Sequence, residues 1–206
     1  MRHVLRITLL AFLALAGAMP EGRAAPAIGE PAPDFRAATA DGGMVHLGDL
    51  RGHIVVLEWT SDACPFVRKF YRTGTMQRLQ SRLVDAGAIW LSILSDAPGA
   101  PGYADAVAAR DIATRKASYA THIVLDPEGL IARLYDARST PHMVLIDAEG
   151  RLRYWGAIDD RPSARLSSVE GAHNYLAAAF DALQRGQPVA IEKTRPYGCA
   201  IHLADP

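Results

Sequence analysis

His53-Ile54-Val55-Val56-Leu57-Glu58-Trp59-Thr60-Ser61-Asp62-Ala63-Cys64-Pro65-Phe66-Val67-Arg68-Lys69 is the stretch that decides the architecture of this chain. Its first half is apolar with almost no alternation. That pattern suits a strand buried on both faces, at the centre of a sheet covered on both sides. From Pro65 to Ala86 the apolar residues fall at broadly helical spacing, with a break near Thr73-Gly74-Thr75. Proline at the first helical position gives up no hydrogen bond, so Cys64 becomes the residue that caps the helix. A thiol there faces unsatisfied backbone N–H groups and the positive end of the helix dipole. Both favour the thiolate and lower the thiol pKa from about 8.5. Arg68 and Lys69, one turn on, could add positive charge. The alternative is an inert buried cysteine, since free cysteine is often buried; the strand-Cys-Pro-helix placement favours a reactive or redox-paired sulfur.

Upstream, Asp34 to Ala38 and Met44 to Leu47 flank Asp41-Gly42-Gly43, a hairpin signal. Downstream, Ala88 to Leu94 reads as a second apolar strand and Tyr103 to Tyr119 as an Ala-rich helix. His122 to Leu125 reads as a short strand and Leu130 to Tyr135 as a short helix. Met143 to Ile146 and Leu152 to Trp155 form a hairpin around Asp147-Ala148-Glu149-Gly150. Val169 to Gln184 is an amphipathic helix that ends before Gly186. The alternation predicts an α/β domain with a central mixed sheet, helices on both faces and an N-terminal β-hairpin.

With 206 residues and a formal net charge of zero, the chain suits one domain and shows no electrostatic pull toward nucleic acid or an anionic membrane. Residues 1–24 read as a signal peptide. Arg2, His3 and Arg6 form a basic start, Ile7 to Met19 is apolar but short for a membrane span, and Gly22-Arg23-Ala24 offers small residues for cleavage. An uncleaved anchor is the alternative. The expected organisation is then residues 25–186 as the folded domain and 187–206 as a C-terminal tail. Export to the periplasm or medium permits a disulfide. The two cysteines, Cys64 and Cys199, allow one intramolecular bridge.

Cys199 sits beside Pro196, Tyr197 and Gly198, which suggest a tight turn. Either it resolves an oxidised Cys64, or the two form a permanent staple for the tail. Thr140-Pro141 precedes an apolar strand; from the residues alone a trans bond is the expected state. His142, His202 and the two cysteines could make a soft-metal site for copper(I) or zinc, but surface or supporting roles for the histidines are favoured, and no metal or other cofactor is expected. Trp59 is expected to pack beneath the helix after Cys64, as plain core. Asp62 reads as an exposed loop residue, and Asp159-Asp160 as a solvated turn.

Several motifs resemble one family. Gly29-Glu30-Pro31-Ala32-Pro33-Asp34-Phe35 is similar to the opening of redoxin domains, and Leu47-Gly48-Asp49-Leu50-Arg51-Gly52 before an apolar strand matches them too. Trp59 to Tyr71, Thr140-Pro141-His142-Met143, Gly156 to Asp160 and Arg195-Pro196-Tyr197-Gly198-Cys199 resemble a peroxiredoxin-like (AhpC/TSA, redoxin) subgroup of the thioredoxin superfamily. The match spans nearly the whole chain after residue 24. It implies a thioredoxin fold with Pro141 in cis beside Cys64, and an exported thiol oxidoreductase or antioxidant protein. Cys64 and Cys199 are then the catalytic candidates, with Thr140, Pro141, Trp59 and Arg68 positioning substrate. The implied partners are a peroxide or a disulfide and an external thiol reductant. Two departures stand out. Val67 occupies the place of the second cysteine of a C-x-x-C motif, and Leu57 replaces the proline of the usual peroxiredoxin motif, with no clear counterpart of the arginine that assists peroxide cleavage.

Overall fold

A computed structural model describes residues 26–205; the expected signal peptide lies outside the described residues. In chain order the elements are β1 (Arg36–Ala38), β2 (Met44–His46), β3 (Val55–Trp59), α1 (Pro65–Arg72), α2 (Thr75–Asp85), β4 (Ile89–Leu94) and α3 (Ala106–Arg115). They continue with β5 (His122–Leu125), α4 (Leu130–Leu134), β6 (Ser139–Thr140), β7 (His142–Ile146), β8 (Leu152–Gly156), α5 (Tyr175–Gln184) and β9 (Cys199–Ala200). Among the described residues no helix is long and apolar enough to cross a membrane.

The central sheet has the order β5-β4-β3-β7-β8. β3 pairs parallel with β4 and antiparallel with β7, and every residue of β3 is buried. Its side chains alternate between two cores. Val56 joins Val67, Phe70, Leu79, Leu83 and Phe180, where α1, α2 and α5 cover one face. Val55, Leu57 and Trp59 join Ala37, Val45, Ile131 and Tyr135, where the β1–β2 hairpin and α4 cover the other.

Local chemistry sets the boundaries. Gly74, with φ of +68°, turns the chain between α1 and α2 at the break the sequence marked. Asp105 accepts from the Ala108 N–H at 2.9 Å and starts α3 later than the Ala-rich run suggested. The last helix also starts late. Leu166–Val169 forms only a 3-10 turn, Gly171 takes φ of +63°, and Asn174 caps α5 by accepting from the Ala177 N–H at 2.8 Å.

One carboxylate lies inside this framework. Glu58 is fully buried on the α1 face of β3 and accepts from Trp90 Nε1 (2.8 Å), Ser92 Oγ (2.9 Å), Gln80 Nε2 (3.2 Å) and Tyr71 OH (3.2 Å). Four donors satisfy a group that would otherwise be costly to bury.

Candidate active site

β3 ends at Trp59, and the turn through Ser61 delivers Cys64 to the N-terminus of α1. There Cys64 is the capping residue in extended conformation, with Pro65 behind it, and is only 1% exposed. The Thr140-Pro141 bond is cis, the state implied by the resemblance and not by the residues alone. The Thr140 carbonyl lies 3.1 Å from Cys64 Sγ, which donates to it.

The tail completes the site. β9 lies antiparallel to β6, with Cys199 opposite Thr140 and Ala200 opposite Ser139. Cys199 is half-buried and packs against the core that holds Cys64; both are free thiols. On either side the tail is tied to the body. Before β9, Trp155 N–H donates to Glu192 O at 3.0 Å and Thr194 N–H to Trp155 O at 3.1 Å, and bonds beyond Ala200 hold its end. Ile201 N–H donates to Arg138 O at 3.0 Å, Ala97 N–H to His202 O at 2.7 Å, and His202 N–H to the buried Asp96 carboxylate at 2.8 Å. Gly198 is required by close approach, because a Cβ there would stand 1.8 Å from the Thr140 carbonyl oxygen.

The electrostatics separate the two sulfurs. Burial pushes the Cys64 thiol up, but the Cys199 thiol, the Thr140 hydroxyl and the N–H groups of Val67 and Cys199 favour the anion, and the net effect is below the ordinary thiol value. The Thr140 hydroxyl has no other partner among the described residues, so it is free to turn to the thiolate. Cys199 is pushed up to about 12, by burial first and then by Cys64, with Arg68 opposing. The first proton to leave the pair therefore leaves Cys64. Cys199 retains its own and can donate it.

The other residues singled out by sequence fall as follows. Arg68 is exposed on α1 near Cys199. Trp59 is fully buried but does not lie beneath α1. Strand alternation turns it to the opposite face of the sheet, against Tyr135 and His142 with ring centroids 5.7 and 5.6 Å away. His142 also faces away from the sulfurs, edge-on to Trp155 at 4.3 Å, with neither ring nitrogen partnered among the described residues. Burial pushes its pKa down to about 3. His202 is engaged by Asp96. The Cys64, Cys199, His142 and His202 set is therefore not assembled. Asp62 is half-buried and paired with Arg115 and Lys116, both at 3.2 Å.

The expectation of a solvated Asp159-Asp160 turn is corrected for Asp159, which is 2% exposed. It accepts from Tyr197 OH, with Lys69 Nζ 3.8 Å from its other oxygen. Lys69 itself is buried and not a surface charge beside Cys64. Burial lowers its pKa, and Asp159 opposes that shift. The sequence held one signal for this cluster: Lys69 falls between Val67 and Phe70-Tyr71 on the apolar stripe of α1.

A family model described as the AhpC/TSA family matches residues 28–155. No curated protein matches the chain. Among solved structures, an uncharacterized conserved protein from Geobacillus kaustophilus is 27% identical with a TM-score of 0.74, covering 87% of this chain and 93% of its own. A hypothetical protein from Sinorhizobium meliloti 1021 is 24% identical with a TM-score of 0.75, covering 89% and 98%. A secreted disulfide oxidoreductase from Mycobacterium tuberculosis is 18% identical with a TM-score of 0.51, covering 72% and 95%. The shared fold is thioredoxin-like.

Proposed function

The chain belongs to the AhpC/TSA family, and from that premise we propose that it is an exported thiol oxidoreductase in which Cys64 and Cys199 form the working couple. The observation that carries this reading is the placement of the two sulfurs, Cys64 capping α1 and bonded to the Thr140 carbonyl, and Cys199 opposite Thr140 in the β6–β9 ladder. Cys64 sits at the N-terminus of α1 under the Thr140 carbonyl, and the Cys199 thiol is poised to donate to it.

The burial of Cys64 beneath the tail favours a small oxidant, a peroxide above all, over a protein disulfide. The strand edge at Thr140, which could otherwise receive an extended peptide, is occupied by β9. The Cys64 thiolate attacks one peroxide oxygen, the O–O bond breaks, and the departing alkoxide or hydroxide takes a proton from solvent. Cys64 becomes a sulfenic acid. The Cys199 sulfur then attacks Cys64 Sγ, water leaves, and a disulfide forms. Two equivalents of an external thiol return the pair to the dithiol and leave as their own disulfide. Thr140 and Pro141 hold the acceptor side of the site. Arg68, exposed near Cys199, suits an anionic substrate or reductant. Trp59, behind the sheet, acts through packing alone.

Stopped-flow mixing of the reduced protein with hydrogen peroxide tests this. Turnover should vanish in Cys64→Ser, and Cys199→Ser should accumulate sulfenic acid on Cys64. Equal peroxide consumption by wild type and Cys64→Ser would overturn the reading. A bridge whose potential lies below about −300 mV would instead mark it as a static staple.

A further inference from the structure

Tyr197 stands two residues before Cys199, and Lys69 five residues after Cys64, so one cluster, built of the buried Lys69 and Asp159 and the half-buried Tyr197, ties together both sulfur-bearing segments. The Lys69 side chain is fully buried; its amine donates to Arg161 O at 3.1 Å and Ser168 Oγ at 3.2 Å and lies 3.4 Å from Tyr197 OH. Asp159 takes the Tyr197 hydroxyl on one oxygen and faces Lys69 with the other. Phe66, in the first turn of α1, meets the Tyr197 ring edge-on at 5.8 Å. Among the described residues no side-chain hydrogen bond runs from Lys69, Asp159 or Tyr197 to either sulfur, whereas the Phe66 N–H faces the Cys199 sulfur.

Burying a lysine and an aspartate is a poor way to gain stability, because both ions must be desolvated and an apolar set of similar volume often does as well. What a satisfied buried ion pair does well is fix one geometry. The tail needs such fixing. From Gln187 to Gly198 it contains neither helix nor strand, only an isolated bridge at Lys193 in which Trp155 bonds to Glu192 and Thr194; between Thr194 and Cys199 no such bridge recurs, and the β6–β9 ladder is only two residues long, too short to be stable alone. A loosely tethered thiol reaches an effective concentration of only about millimolar; one held in place reaches far more.

We propose that Lys69, Asp159 and Tyr197 are positioning residues: a latch that holds the tail so that Cys199 stays against Cys64 and thereby sets the equilibrium of the couple. The inference rests on the reading of the two cysteines as a working pair. It adds that their exchange equilibrium is controlled from a cluster on the far side of Tyr197.

The test uses glutathione as the redox partner. Protein dithiol and one glutathione disulfide give protein disulfide and two glutathiones, so the equilibrium constant measures the effective concentration of Cys199 at Cys64. Wild type, Tyr197→Phe and Asp159→Asn are equilibrated across glutathione ratios, quenched in acid and alkylated, and the bridged fraction is read by mass. The constant should fall tenfold or more in both variants. A second arm, in a Cys64→Ser background, reads the alkylation rate of Cys199, which should rise at least fivefold with Tyr197→Phe. A folded Tyr197→Phe protein whose constant stays within twofold of wild type, or whose Cys199 alkylates no faster, overturns the latch. A wild-type protein that never forms the bridge overturns the redox-couple reading instead, and the alkylation arm still decides whether the latch holds the tail.

Discussion

Gly198 passes so close to Thr140 that no larger residue fits without moving one of the two strands: the space a Cβ would take is already held by the Thr140 carbonyl oxygen, 1.8 Å away. That same oxygen receives the Cys64 thiol. The contact between tail and cis-proline segment is thus also a contact with the sulfur. Gly198→Ala should push β9 off β6. At an overpacking cost of about 1–3 kcal/mol, the rate of bridge closure after a peroxide pulse should fall tenfold or more. Closure at the wild-type rate would mean that the tail does not dock as described.

The two thiols should titrate far apart. Thiolate absorbance of the reduced protein should show one transition below the ordinary thiol range and a second only near pH 12, where Cys199 loses its proton. Cys64→Ser should abolish the first. If instead Cys199→Ser abolishes it, the assignment of the two sulfurs is reversed.

His142 sets an acid limb. Its pKa in the folded protein, about 3, is below its ordinary 6.5, so the folded state favours the neutral ring. The stability gained is fully present above about pH 6.5 and is lost as pH falls toward 3, with a slope approaching ~1.4 kcal/mol per pH unit from this one group. His142→Phe should flatten the urea-unfolding stability between pH 6 and 4 relative to wild type. Parallel curves for the two proteins would show that the ring is not held neutral by burial.

Glu58 is a structural acceptor. Glu58→Leu would leave the donors on Trp90, Ser92, Gln80 and Tyr71 without their shared partner and should cost about 3–5 kcal/mol in denaturant unfolding. Glu58→Gln keeps one acceptor oxygen and should cost less. A loss under about 1 kcal/mol for the leucine variant would mean that the four donors find other partners.

The strand–cysteine–helix junction was legible because its signals are local. An unbroken apolar run, a proline and a helical stripe stand within one short stretch, and they fix β3, α1 and the place of Cys64. What was not legible depends on contacts between distant segments. β9 has no composition of its own and exists only because β6 offers it an edge. Asp159 read as part of a solvated turn and Lys69 as a positive charge near Cys64, because such residues are almost never fully buried without a partner, and their shared partner, Tyr197, lies in another part of the chain. Trp59 shows a different limit. The run around it fixed the strand, but only the register of alternation decides which face a residue takes, and a strand buried on both sides hides that register. The start of α5 failed because Val169 continued an apolar pattern that Gly171 interrupts.

The placement of the two sulfurs has one more consequence. A bond between them would make a covalent ring of residues 64–199, enclosing α1, α2, four of the five central strands and α5. Closing a loop of that size removes so much freedom from the unfolded chain that it is worth ~5 kcal/mol in the chain-entropy model. Each catalytic cycle would then alternate between a ringed molecule that resists heat and proteases and an open one that is softer. The durability of the protein would itself report which half of the cycle it is in.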